Sequence, residues 1–316
     1  MNKFQHFAIY GGGSWGTALA CAVSKVTKQV DLYLRDPEVI KEILQHRTNS
    51  KYFGTVKLAD NILPSNQVSV LKDQEVIIIA VPSTAIIQTI NALRDIEISA
   101  DTVLLIATKG VVGEPVQLLS EKIKSLLPNR IAFIAGPNFA SEVVQDLLTS
   151  ITIACEDIKL AEKIAASVES KNLVTSITAD IITVQIAGAI KNIIAIKSGI
   201  FDAMGYKRNA KAWLITQGLQ EIAVLSQALG GKAETLLQPG VLGDLVLTCY
   251  SKTSRNTKFG YELYHQSGHD INGFLKNYPY LVEGAESVKL ITKLANKCGV
   301  DLPVITSVAQ ALKLSE

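Results

Sequence analysis

A chain of 316 residues, 48% hydrophobic and only 19% charged, is globular and has apolar material for two ordinary cores. Its 31 Lys+Arg against 29 Asp+Glu leave a net charge of +2, which gives no global pull toward nucleic acid or an anionic membrane. Any anion site must therefore be local, and the partners are small molecules.

The chain opens on FAIYGGGSWGTALA. Residues 7–10 read as a short buried strand, Gly11, Gly13 and Gly16 fall at G-x-G-x-x-G spacing, and residues 17–23 continue as an apolar helix. The first glycine permits a tight turn, the second lets backbone approach a diphosphate, and the third lets helix pack on strand. A diphosphate at this helix N-terminus meets unpaired N–H groups and the positive end of the helix dipole. Residues 29–34 form the second strand, and Arg35 and Asp36 stand at its end, where adenosine ribose is read. An acid there accepts from a 2′-OH, as in NAD, and a base receives the 2′-phosphate of NADP. Asp36, followed by Pro37, reads equally well as the cap of the next helix. Tyr52 follows in a polar loop as a further candidate cofactor contact.

Three more buried strands follow at residues 76–81, 103–108 and 130–135, each a continuous apolar run suited to the centre of a parallel sheet. They end in Pro82, in Lys109-Gly110 and in the turn Gly136-Pro137-Asn138-Phe139-Ala140. In open α/β sheets ligands bind at that edge, so these residues are expected to line one crevice with the glycine loop. Residues 150–155 are expected to supply one more strand before the sheet ends. From about residue 181 strand-like blocks give way to helical periodicity, at 182–201, 210–229, 287–297 and 306–312. The fold class is therefore α/β, a Rossmann-type doubly wound parallel sheet over residues 1–180 followed by an all-helical domain over residues 181–316.

The first of these helices carries Lys191 and Asn192 in an apolar stretch, where a cation is costly unless paired or placed at a site, with Gly188 and Gly199 allowing close approach. Lys197 falls on another face and reads as a surface residue. Residues 239–258, PGVLGDLVLTCYSKTSRNTK, read as a loop-rich polar segment that gathers Asp244, Thr248, Ser254, Arg255 and Asn256, groups able to orient a hydroxyl and clamp a phosphate. Cys21, Cys155, Cys249 and Cys298 form no CxxC pair and read as free thiols, and His6, His46, His265 and His269 lie apart from the motifs, so no metal site is read. The longest apolar runs read as strand-sized, and no secretory signal opens the chain, which points to a reduced, cytoplasmic enzyme without membrane insertion. The apolar helical half, residues 181–200 above all, points to a homodimer joined through it.

Taken together, GGGSWGTALA, ATKG at 107–110, GPNFASEV at 136–143, GAIKNIIAI at 188–196, GVLGDLVLT at 240–248, SRN at 254–256 and VEG at 282–284 resemble the bacterial-type NAD(P)-dependent glycerol-3-phosphate dehydrogenases over nearly the whole chain. The resemblance implies NAD or NADP as cofactor without a metal, and dihydroxyacetone phosphate and glycerol 3-phosphate as substrate and product, serving phospholipid synthesis. It implies cofactor contacts at Ser14 and Trp15 beside the glycines, and at Arg35, Lys109, Ala140, Arg255, Leu281 and Glu283. It implies substrate contacts at Lys109, Gly136, Asn138, Lys191, Asp244, Ser254, Arg255 and Asn256, to which Asn192 and Thr248 are added from their place in the motifs. Lys191 matches the catalytic lysine, tuned by Lys109 and Asp244.

The chemistry agrees. Reduction of a ketone needs a proton donor for the forming alkoxide, which a lysine ammonium supplies while stabilising oxyanion charge. Asn138 stands where the family usually has Ser or Thr, Lys211 and Gln217 replace frequent arginines, and Trp213 is bulkier than the usual alanine. The competing readings are a related dehydrogenase of another hydroxy or sugar acid, against which the SRN segment argues, and a silent dinucleotide sensor, against which the buried lysine and asparagine argue.

Overall fold

The computed structural model describes residues 3–266 and 271–314; His269 lies outside the described residues. The chain divides into two compact units, one running to Thr108 and resuming over Ser120–Ile181, the other comprising Lys109–Leu119 and the residues from Ile182 onward.

The first unit runs β1 (His6–Tyr10), α1 (Ser14–Ser24), β2 (Gln29–Tyr33), α2 (Pro37–His46), α3 (Ser50–Phe53), β3 (Ile62–Ser65), β4 (Val76–Ile79), α4 (Ile86–Asp95) and β5 (Val103–Ile106). After a hairpin of β6 (Val111–Val112) and β7 (Gln117–Leu118) that belongs to the second unit, it continues through α5 (Leu119–Lys124), β8 (Ile131–Ala135), α6 (Ala140–Val143), β9 (Thr149–Ala154), α7 (Ile158–Val168) and β10 (Leu173–Thr178). The sheet order is β10-β9-β8-β5-β4-β1-β2-β3. β1, β2, β3, β4, β5 and β8 are parallel, and β9 and β10 run the other way. The sequence reverses its winding at β1, between β4 and β2, which is the switch point where such sheets bind ligands.

Burial explains which strands were readable. VIII of β4 and VLLI of β5 are buried at every position, as a central strand between helical layers requires. The outer strands β3 and β10 were not expected. ILPS of β3 carries a proline suited only to an edge, and LVTSIT of β10 has one fully buried residue, so neither shows an apolar run. The excursion Lys109–Leu119, which the division into residues 1–180 and 181–316 does not anticipate, belongs to the second unit. It lacks a strong period of its own, yet Val111, Val112 and Val116 are buried, and β6 packs on a helix of the second unit.

The second unit contains α8 (Ile181–Ala203), α9 (Arg208–Ala228), a π-helical turn Pro239–Gly243 leading into α10 (Asp244–Tyr250), then α11 (Arg255–His265), α12 (Ile271–Asn277), α13 (Glu283–Cys298) and α14 (Pro303–Ala311). The segment read as loop-rich is thus mostly helical. Its glycines, proline and hydroxyl residues conceal two short helices, α10 and the start of α11, whose apolar faces are set by tertiary packing.

α8 also overturns the reading that apolar runs are strand-sized. It is long and apolar enough to cross a bilayer by length and composition, but 89% of that stretch is buried within the protein, so it is a core helix. Ile190, Ile193, Ile194 and Ile196 are fully buried, each contributing about 1.5–3 kcal/mol of hydrophobic stabilisation. α11 crosses α8 backbone against backbone: a Cβ at Gly199 would lie 1.9 Å from the Thr257 carbonyl oxygen, and one at Gly260 1.9 Å from that of Ile196. The buried Glu221 of α9 accepts the N–H groups of Val304 and, at 3.2 Å, Ile305, capping α14.

Candidate active site

In the first unit the glycine loop is a backbone cradle. Gly11 adopts φ +123°, and a Cβ there would lie 2.5 Å from the Ala80 carbonyl oxygen; one at Gly16 would lie 1.8 Å from that of Gly11. Gly12, which the motif spacing passes over, is just as constrained, since a Cβ would lie 2.5 Å from Leu34 Cβ. Beside Gly13 the space is open, and Gly13 caps α1 without a side-chain hydrogen bond. The start of α1 therefore has room beside it and no side-chain cap, as a phosphate site at a helix N-terminus requires. Asn49, fully buried, holds the loop by donating to Thr17 Oγ1 at 3.1 Å and to the Gly12 carbonyl at 3.4 Å, a role with no local sequence signal.

A cavity of about 570 Å3 opens from Gly11, Gly12 and Gly13 past Tyr10, Tyr33, Arg35, Lys51 and Tyr52, with Pro82, Gln88 and Thr89 among its other walls. Its size suits a small-molecule site, and with the open helix end the residues fit a dinucleotide. Asp36 is the N-cap of α2, accepting from Glu38 N at 3.1 Å and Val39 N at 3.5 Å. Arg35 and Lys51 are exposed, with no carboxylate within ion-pair distance among the described residues. Lys51 and Gln88 were not singled out in the sequence because nothing local distinguishes them from surface residues. Trp15 and Ala140 pack against the same core cluster, α6 lying on α1.

Gly136 is required by contact, since a Cβ would lie 2.3 Å from the Ser150 carbonyl oxygen. Asn138 donates to Thr149 Oγ1 and, at 2.9 Å, to the Ser150 carbonyl. The amide donor that would replace the family's hydroxyl is therefore committed to the turn between β8 and β9.

The second unit gathers a buried charge cluster from four elements. Lys109 enters at the head of the excursion, its stem lying 3.4 Å from where a Cβ of Gly188 would stand, so the glycine makes room for it. Lys191 of α8, 5% exposed, donates to Asp244 Oδ1 and, at 3.0 Å, to Thr248 Oγ1. Thr248 in turn donates to the Asp244 carbonyl at 2.6 Å, which orients its lone pair toward the ammonium. Lys109 Nζ reaches the other Asp244 oxygen at 3.4 Å.

Burial drives the Lys191 ammonium down from 10.5 to about 8, with Asp244 opposing and Lys109 adding to the fall. From sequence only Lys109 and Asp244 were expected to act on it, and burial is the larger cause. Burial also works against charge on Lys109, but Asp244 and Glu283 outweigh it and raise that lysine. Burial would raise Asp244, yet the two ammonium groups hold it below its ordinary value.

Asn192 Nδ2 donates to Glu283 Oε2 at 3.1 Å, and Asn256 Oδ1 accepts the Gly284 N–H at 3.0 Å. Ser254 caps α11, accepting from Thr257 N at 3.4 Å, and Arg255 is exposed in the first turn of that helix. Leu281 stands apart from the lysine pair, lining a separate apolar pocket with Phe259, Tyr278 and Tyr280.

Comparison with known proteins follows the same division. Residues 6–161 match the family model of the NAD-dependent glycerol-3-phosphate dehydrogenase N-terminus, and residues 180–315 that of its C-terminus. The chain is 50% identical to glycerol-3-phosphate dehydrogenase [NAD(P)+] of Rickettsia felis, covering 98% of each, and 48% identical to that of Rickettsia bellii, covering 99% of this chain and all of the relative. A crystal structure of glycerol-3-phosphate dehydrogenase from Coxiella burnetii superposes with a TM-score of 0.88 at 30% identity, covering 98% of both chains.

Proposed function

The chain belongs to the NAD-dependent glycerol-3-phosphate dehydrogenase family and is an NAD(P)-dependent oxidoreductase; from that premise we propose that it reversibly reduces dihydroxyacetone phosphate, with Lys191 as proton donor. The observation that carries this reading is a buried lysine that donates to Asp244 and Thr248 and is brought by burial to about 8, within reach of proton exchange near neutral pH.

When bound, the nicotinamide cofactor supplies the hydride. As the carbonyl carbon accepts it, the oxygen takes up the carbonyl electron pair and a proton from Lys191 Nζ, giving the alcohol and a neutral amine that is reprotonated from solvent. An amine titrating near 8 can make that exchange near neutral pH in either direction. Lys109, kept charged, stabilises the oxyanion as it develops. Arg255, Ser254 and the α11 N-terminus hold the phosphate, and that remote binding energy orients the carbonyl. Gly11, Gly13 and Gly16 with Ser14 and Trp15 would hold the diphosphate of a bound dinucleotide, and Arg35 and Tyr52, which line the same cavity as Gly11 and Gly13, would meet its adenosine end. The test is loss of nicotinamide absorbance with dihydroxyacetone phosphate, comparing NADH with NADPH. Turnover is expected with both, and none with either would end the reading.

The product serves glycerophospholipid synthesis, and the free thiols of Cys21, Cys155, Cys249 and Cys298 suit the reducing cytoplasm. The enzyme is a homodimer joined through its helical unit, though not through residues 181–200, because α8 is consumed by the core. Support comes instead from Trp213, Tyr206 and Met204, 55%, 48% and 44% exposed, of which Trp213 stacks on Phe201 and Tyr206 meets the same ring edge-on. Light scattering is expected to give twice the monomer mass, falling to one in Trp213→Glu; a monomeric parent would count against it.

A further inference from the structure

Among the described residues the carboxylate within ion-pair distance of both Lys109 and Lys191 is Asp244, so the pair carries excess positive charge in a place where unbalanced charge is costly. Glu283, the first residue of α13, supplies the balance. Its Oε2 accepts the 3.1 Å hydrogen bond from Asn192, the residue next to Lys191, and its charge acts on Lys109. Packing sets its place: a Cβ at Gly284 would lie 2.6 Å from the Asn192 carbonyl oxygen and 2.9 Å from Asn256 Oδ1, and the Gly284 N–H is bonded to that Oδ1. The start of α13 is therefore pressed on α8 at Asn192, and the carboxylate is delivered there by backbone.

Among the described residues, the other charged or titratable groups that act on this cluster do not supply the balance. Lys211 is paired with Asp202 at 2.8 Å, and burial pushes the Cys249 thiol up to about 12, so it stays neutral. Asp244 is already shared by both lysines.

Resting on the reduction proposed above, we propose that Glu283 is a positioning residue for it: it anchors Asn192 and completes the charge balance of the lysine pair, so that Lys109 stays a permanent cation and Lys191 is the lysine that exchanges a proton. Exchange is then confined to one nitrogen although two ammonium groups meet at the same carboxylate. The role differs from the cofactor contact that family resemblance assigns to this position.

Glu283→Gln tests the charge, since its amide oxygen still accepts from Asn192, and Glu283→Ala removes the anchor as well. In Glu283→Gln the alkaline limb of kcat/KM for reduction is expected to move down by about half a pH unit or more, with KM for both dinucleotides little changed. Glu283→Ala is expected to lose a further tenfold or so in kcat at the plateau, where the pH effect is absent. Carbon-13 spectra of lysine-labelled protein read the Lys191 midpoint without turnover, and it is expected to fall in both variants. An unmoved midpoint and limb in Glu283→Gln would overturn the inference alone. A raised dinucleotide KM with an unmoved limb would make Glu283 a cofactor contact and overturn it equally. A parent inactive toward dihydroxyacetone phosphate at every pH would overturn the reaction on which it rests.

Discussion

At the glycine loop of the first unit, one methyl group at residue 16 would stand 1.8 Å from a backbone oxygen; at the lysine cluster of the second, the bonds join residues 53 and 135 positions apart. The first site is made of backbone shape and the second of side chains gathered from separate elements. Backbone shape is written over a few adjacent residues, as glycines at fixed spacing, and is readable locally. A gathered cluster has no local signature beyond the oddness of a lysine and an amide in an apolar helix. The two sites should also fail differently, the first through space and the second through charge.

The largest effect expected is at Lys191. Lys191→Ala removes the proton donor proposed above, so kcat should fall by roughly a hundredfold or more while substrate still binds. The parent's pH profile sharpens the point. Burial lowers Lys191 to about 8, so the ammonium that reduction needs is present below that value and lost as pH rises through it; the neutral amine that oxidation needs appears over the same interval. Reduction should therefore decline above about pH 8 and oxidation increase. Near-normal turnover in Lys191→Ala would move the donor elsewhere, to Lys109 first.

Gly16→Ala tests the claim that the first site is backbone shape. Its added carbon forces the loop from Gly11, a packing strain of order 1–3 kcal/mol, so KM for NADH and for NADPH should both increase by roughly thirtyfold, with their ratio unchanged. Loss confined to one cofactor would show that the loop acts through something other than shape.

The same contrast explains what could be read in advance. The glycine loop, β4, β5 and the site-bearing α8 announce themselves by spacing or by uninterrupted apolar runs. β3 and β10 do not, because an edge strand needs neither. α10 and α11 hide behind Pro239, Gly240 and Gly243; α11 is held on α8 through Gly199 and Gly260, and α10 is tied to it by Ser198 donating to the Cys249 carbonyl. Lys109 could be seen to follow a strand, but not that its stem crosses Gly188 and joins the helical unit. The two commitments of Asn138, to Thr149 and Ser150, depend on strand pairing that no spacing records.

Arg255→Ala asks whether a side-chain site can lose binding without losing chemistry. With the fork gone, KM for dihydroxyacetone phosphate should increase about tenfold or more, the cost of charge-assisted hydrogen bonds to a phosphate. Dihydroxyacetone, which has no phosphate, should react poorly with the parent, be nearly indifferent to Arg255→Ala, and remain sensitive to Lys191→Ala. Equal slowing of both substrates by Arg255→Ala would remove the phosphate clamp from the account.

The smallest effect falls where the contrast blurs, at the one place in the first unit where side-chain charge should matter. Asp36 and Arg35 are adjacent, and from sequence either could read the ribose. Asp36 caps α2 with one carboxylate oxygen receiving two amides, so it is part of the scaffold, whereas Arg35 lines the cavity beside Lys51 with no carboxylate within ion-pair distance among the described residues. Arg35→Ala should therefore raise KM for NADPH about fivefold more than for NADH, a modest loss because the guanidinium is exposed and screened by salt. The difference should shrink at high ionic strength. Asp36→Ala should leave the NADPH to NADH ratio alone and cost about 1 kcal/mol of stability, the usual loss of an N-cap. Should Asp36→Ala change the ratio and Arg35→Ala leave it, the carboxylate reads the ribose after all, and the cap must give way when the dinucleotide binds.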